Sequence, residues 1–85
     1  MRAQNLTMTA DERLKNRIEK IRSLSGDDQG SVSYFEAATL AQTVLYDTVG
    51  VAHPLMSSLR NALESQDWQQ AAASSRSVVT LYDEG

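Results

Sequence analysis

The chain has 85 residues, enough for one domain, and its 41% hydrophobic and 22% charged content with four Gly and one Pro excludes collagen-like and strongly disordered classes. The absence of Cys and the single His remove disulfides, thiolate metal sites, a Cys nucleophile and any two-histidine metal site. The net charge of −3 is unevenly spread: residues 1–22 hold six basic and three acidic side chains, and residues 23–85 hold two basic (Arg60, Arg76) and eight acidic.

Residues 1–8 read as frayed, and Met1-Arg2 is not followed by the apolar stretch of a signal peptide. No apolar run approaches the ~18 residues of a membrane span, so the expectation is a cytoplasmic protein with no membrane contact. Thr9-Ala-Asp-Glu12 has the form of a capping box, and Asp11 and Glu12 suit the positive end of a helix dipole. Leu14, Ile18 and Ile21 then recur about once per turn, flanked by Arg13, Arg17 and Lys20 on one side and Lys15 and Arg22 on the other. This predicts a first, basic helix over about 10–24 with a narrow apolar seam.

Ser25-Gly-Asp-Asp-Gln-Gly-Ser31 is a loop by composition and the expected hinge. It leaves the basic helix as a semi-independent element of a single domain. Asp27 and Asp28 are read as turn residues, because the stretch lacks the alternating ligands and terminal Glu of a calcium loop.

Ser33-Tyr-Phe-Glu36 has the form of a second capping box and predicts helix 2 over about 34–49. Tyr34, Ala37, Ala38, Ala41, Val44, Leu45 and Thr48 share one face, with Phe35 and Tyr46 to one side of it and Leu40 to the other. Such a girth of apolar residues marks a central helix. Gly50 suits the left-handed position that ends a helix. Phe35 and Tyr46 lie three turns apart, near one line. Either helix 1 covers them, or they form a second apolar surface for another chain.

His53 precedes Pro54, which suits the first turn of helix 3 over about 54–65, and reads as an N-cap or surface residue. Ala52, Leu55, Met56, Leu59, Ala62 and Leu63 form its apolar stripe. Asp67-Trp-Gln-Gln70 is a third capping signal, opening helix 4 over about 68–82. Its inner face holds Trp68, Ala71, Ala72, Ser75, Val78, Val79 and Tyr82, and Asp83-Glu-Gly85 reads as a short acidic tail. Trp68 reads as a core plug. Four helices with short loops and no strand pattern define an all-α, four-helix domain. A chain this short buries only about 60–65% of its unfolded surface, so self-association would help it.

Two resemblances add to this. Gln42, Gly50, Val51, Met56 and Leu59, with Asn61 closing the run, resemble a DNA-binding helix-turn-helix. The resemblance implies a regulator with helix 54–65 in the major groove, Ser57, Ser58, Arg60 and Asn61 facing the bases, and helix 1 supplying phosphate contacts. Tyr46 departs from that pattern, which has a small residue where the two helices cross. The stretch Ala62 to Ala71 is similar to the turn of tetratricopeptide-type repeats and of small secretion or flagellar chaperones. The Val49-Gly50…His53-Pro54 turn is similar to one in helical accessory modules of bacterial defence proteins. These imply protein binding without chemistry. With no second copy of the motif, a repeat array is excluded.

The functional expectation is a non-enzymatic interaction factor of adaptor, inhibitor or chaperone-like type, without metal or cofactor. It would bind another protein or itself, as a homodimer, through Leu14, Ile18, Ile21, Phe35 and Tyr46, rimmed by Arg13, Arg17 and Lys20. The alternatives are the helix-turn-helix regulator, with nucleic acid disfavoured by the acidic body, and a small-ligand or nucleotide-binding protein at a subunit interface. No nucleophile, base and orienter can be assembled around His53, so no catalytic site is expected.

Overall fold

Local capping signals decide where the helices of this chain begin and end. In the computed structural model, which describes residues 10–84, they delimit α1 (Ala10–Leu24), α2 (Ser31–Thr48), α3 (Pro54–Ser65) and α4 (Trp68–Glu84). The domain is all-α, as the periodicity predicts. Thr9 and residues 1–8, which were expected to be frayed, lie outside the described residues, as does Gly85.

The first signal is a correction. α2 begins at Ser31, three residues before the expected start, with Gly30 as its N-cap in an extended conformation and no side chain capping it. The Tyr34 N–H closes the first turn on the Gly30 carbonyl at 3.0 Å. The Ser33 hydroxyl donates to Gln29 Oε1 instead of capping. At the other end of α2, the N–H groups of Val49 and Gly50 both donate to the Leu45 carbonyl, and Gly50 turns the chain at φ +89°. α3 opens on His53, whose Nδ1 accepts the Leu55 N–H at 3.1 Å, and on Pro54. It closes in a Schellman arrangement, with Asp67 N–H on the Ala62 carbonyl, Gln66 N–H on the Leu63 carbonyl, and Gln66 left-handed at φ 57°. Asp67 then caps α4 by accepting the Gln70 N–H at 3.2 Å. The Gln70 side chain reaches forward to Ser74 at 2.7 Å, so the box is capped from one side only.

α2 and α4 form the central pair, each touching the other three helices, with α1 and α3 on opposite sides and not in contact. The buried face of α2 is Tyr34, Ala37, Ala38, Ala41, Val44 and Leu45. That of α4 is Ala71, Ala72, Ser74, Ser75, Val78 and Val79. Small side chains on both faces permit an approach near the lower end of the usual ~8–10 Å between helix axes. Ile18 and Ile21 of α1 and Leu59 of α3 are fully buried and supply much of the bulk around this pair.

The connector 25–30, expected as a hinge, is held at its first half. Ser25 is fully buried and its hydroxyl donates to the Ile21 carbonyl. The Tyr34 hydroxyl donates to the Gly26 carbonyl at 2.7 Å. Arg76 donates to the Ser25 carbonyl from α4. The expected acidic tail is also corrected: α4 runs on to Glu84. The Asp83 carboxylate accepts two hydrogen bonds of 3.2 Å from the Arg22 guanidinium. Asp83, with Glu19 beside it, holds the Arg22 proton more firmly than usual and raises its pKa against some desolvation.

Two outcomes are expected. Gly50→Ala lowers stability by about 1–2 kcal/mol in chemical denaturation, from the left-handed backbone alone, since a Cβ there meets no neighbour. In hydrogen exchange, α1 opens before α2–α4, because only two of its 15 residues are buried, against three of the 12 in α3.

Candidate interaction surface

The central helices differ on their outward sides. On α4 the exposed residues are mainly polar, among them Gln69, Gln70, Arg76, Ser77 and Thr80, with Leu81 and Tyr82 the large apolar exceptions. On α2 they include large apolar side chains. Val32 is 79% exposed, Phe35 52% and Tyr46 65%, and Val49, one residue past the helix, is 50% exposed. The expected pair Phe35 and Tyr46 is thus uncovered by α1 and belongs to a longer apolar line that begins at Val32 and ends at Val49. The spacing of the two valines from the aromatics already carries that signal, three residues at each end.

This line runs between two rims. On the α1 side Arg17 reaches Asp47 at 3.0 Å and Thr43 at 3.4 Å, and Lys20 reaches Glu36 at 3.3 Å. On the other side the Phe35 ring meets Trp68 edge to face, with centroids 6.3 Å apart and planes at 79°. Trp68 is half-buried, so the expected core plug is a bridge between the core and this surface. Met56, largely buried, flanks Tyr46 in a shallow recess with Gln42, Thr43 and Asp47.

The remaining expected contact residues separate. Ile18 and Ile21 face the chain's own core, packed in cis, and offer no outward surface. Leu14 is half-buried and lines a cleft of about 390 Å³ between α1, α2 and α4, together with Val44, Thr48, Val78, Leu81, Tyr82 and Val49, so Val49 borders this cleft as well as ending the outward line of α2. Tyr82, expected in the core with its hydroxyl at the surface, is 37% exposed at the mouth of this cleft. The Thr48 hydroxyl in this cleft already donates to the Val44 carbonyl. Arg17 and Lys20 are engaged in cis, and Arg13 lies exposed on α1.

In the stretch resembling a helix-turn-helix, Ser57, Arg60 and Asn61 are exposed and Ser58 is half-buried. The departure at Tyr46 has a structural counterpart, because its side chain is exposed at the edge of the α2–α3 contact, beside Met56, and is not enclosed between the two helices. Among the described residues, no three His, Asp or Glu side chains gather as a metal site requires. None of the described helices is long and apolar enough to cross a membrane. No family model, curated protein or solved structure matches this chain.

The aromatic contact is open to direct measurement. A double-mutant cycle on Phe35→Ala and Trp68→Ala in thermal or urea denaturation should return a coupling of about 0.5–1.5 kcal/mol.

Proposed function

We propose that this chain is a non-enzymatic interaction factor of the cytoplasm, an adaptor, inhibitor or chaperone-like protein that binds through the outward face of α2. The observation that carries this reading is the line of four large apolar side chains left uncovered on a helix whose opposite face is already in the core. A central helix needs only one apolar face to hold its own bundle together. Aromatic residues anchored beside a half-buried Trp are the kind of group that dominates binding energy at protein interfaces. The ion-paired rim at Lys20–Glu36 and Arg17–Asp47 fits the polar border such surfaces carry.

The helix-turn-helix alternative has less support. Arg60 is its only basic residue on α3, and the α1 cations Arg17, Lys20 and Arg22 are already paired to carboxylates of the same chain. The alternative of a ligand site between subunits needs converging cations, and it meets the same objection.

Capture from the source cell tests the proposal, with the native chain and with a Phe35→Asp, Tyr46→Asp double variant as bait. A specific protein retained by the first and lost by the second, with circular dichroism unchanged, is the expected result. Equal retention by both would move the binding surface elsewhere. In parallel, fluorescence anisotropy with duplex DNA near physiological salt should show no binding tighter than about micromolar, below the level of specific recognition.

A further inference from the structure

The exposed line on α2 has a register of its own. Its members are Val32, Phe35, Thr39, Gln42, Tyr46 and Val49, spaced three, four, three, four and three residues apart. That alternation is the seam of a two-helix coiled coil. Val49 remains in the right-handed helical conformation, so it extends the seam by one position beyond Thr48.

The seam is also a palindrome about its midpoint between Leu40 and Ala41. Reversed, Val32 falls level with Val49, Phe35 with Tyr46, and Thr39 with Gln42. Valine meets valine, aromatic meets aromatic, and polar meets polar. A two-fold axis through that midpoint needs a surface that complements itself in this way. The charged rim follows the same symmetry roughly. Glu36 and Asp47 stand on opposite sides of the midpoint, about two residues from exact symmetry, so antiparallel pairing sets the Lys20–Glu36 bridge of one copy near the Arg17–Asp47 bridge of the other. Each such group of four charges is neutral, with each carboxylate already paired to a cation of its own chain. At the centre, the Thr39 hydroxyl already donates to the Phe35 carbonyl at 2.9 Å, which lowers the cost of covering it. Gln42 lies opposite as the polar residue that holds a register.

We infer that the occupant of this face is a second copy of the chain, with α2 packed antiparallel on its counterpart about a two-fold axis near residues 40 and 41. This rests on the reading of the α2 surface as an interaction face and names its partner. The α2 helix is about 27 Å long and about 10–12 Å wide, so the helix–helix footprint is about 300 Å² per copy. Trp68 and the α1 rim enlarge it, but it stays below the ~800 Å² per partner of stable complexes. The dimer is therefore a weak one, with a Kd of about 10–500 µM.

Sedimentation equilibrium of the purified full chain, from about 5 µM to about 1 mM, reads this directly. The expected mass rises from one chain toward two. Tyr46→Asp abolishes the rise with an unchanged melting temperature. Phe35→Asp does the same, with some loss of stability from the Trp68 contact. Orientation is read by disulfide formation, on a chain with no Cys of its own. When Val32→Cys and Val49→Cys single variants are mixed and oxidised, antiparallel pairing yields the mixed disulfide. Each residue is about 25 Å from its own copy in the partner, beyond the reach of a disulfide. A single-chain mass at the highest concentration, a dimer indifferent to Tyr46→Asp, or self-disulfides in place of the mixed one would each overturn the inference. A monomer whose captured partner is still lost with the double variant would overturn only the identity of the partner. A monomer whose captured partner is retained equally by the double variant would overturn the interaction face itself.

Discussion

Everything in this fold depends on how closely α2 and α4 can approach. Ala37, Ala38 and Ala41 on one helix and Ala71, Ala72 and Ser75 on the other are all buried, and none has a side chain long enough to hold the axes apart. A pair packed this way makes many dispersion contacts but buries little apolar area per residue, because an alanine has only one methyl group to remove from water. Val44, Leu45, Val78 and Val79 add bulk toward one end of the pair, and further bulk comes from outside it, from Ile18 and Ile21 of α1 and from Met56 and Leu59 of α3. The flanking helices are therefore not accessories. They add the bulk that the central pair gives up in order to pack closely.

The charge asymmetry resolves within the molecule. The basic first helix lies on the acidic body through Arg17–Asp47, Lys20–Glu36 and Arg22–Asp83, three bridges on two different helices. Each joins partly exposed side chains, so each adds only about 0.2–1 kcal/mol and less in high salt. Their combined effect is on orientation. They fix the rotation of α1 so that Ile18 and Ile21 point inward, and they use cations that a polyanion partner would need.

What was legible in the sequence is what local chemistry decides. Pro54 after His53, Asp67 ahead of Gln70, and Gly50 at positive φ each act within a few residues, and each lies where the sequence places it. The apolar faces of α2, α3 and α4 were legible for the same reason, since their period is a property of the helix. The errors arise where local and distant signals compete. Ser31, Ser33 and Gly30 all suit a helix start, and the Tyr34 hydroxyl bond to Gly26 draws the helix back to the earliest of them. Asp83 reads as tail until Arg22, 61 residues away, anchors it. Ser25 and Ser74 are polar yet buried, each with a local hydrogen bond that sequence alone does not assign. Of the candidate surface, Phe35 and Tyr46 were legible as residues off the core face. Their pairing with Trp68, Val32 and Val49 depends on where α4 begins and where α2 ends.

An apolar helix with two possible inner faces must have something other than hydrophobicity to choose between them. On α2 that choice is steric. Turning Phe35 and Tyr46 inward would put aromatic rings where α4 must come close, and the central pair would open by more than its alanines could fill. The face with the three alanines is therefore buried, with Tyr34 near its start and Val44 and Leu45 near its end, and Phe35 and Tyr46 are left outside, although burying such a side chain fully is worth about 1.5–3 kcal/mol. Only Trp68 of α4 leans out far enough to cover part of it. The close packing that holds the bundle together and the apolar surface it leaves exposed are thus two results of one constraint, and a partner for α2 would recover burial that the fold itself has no room to use.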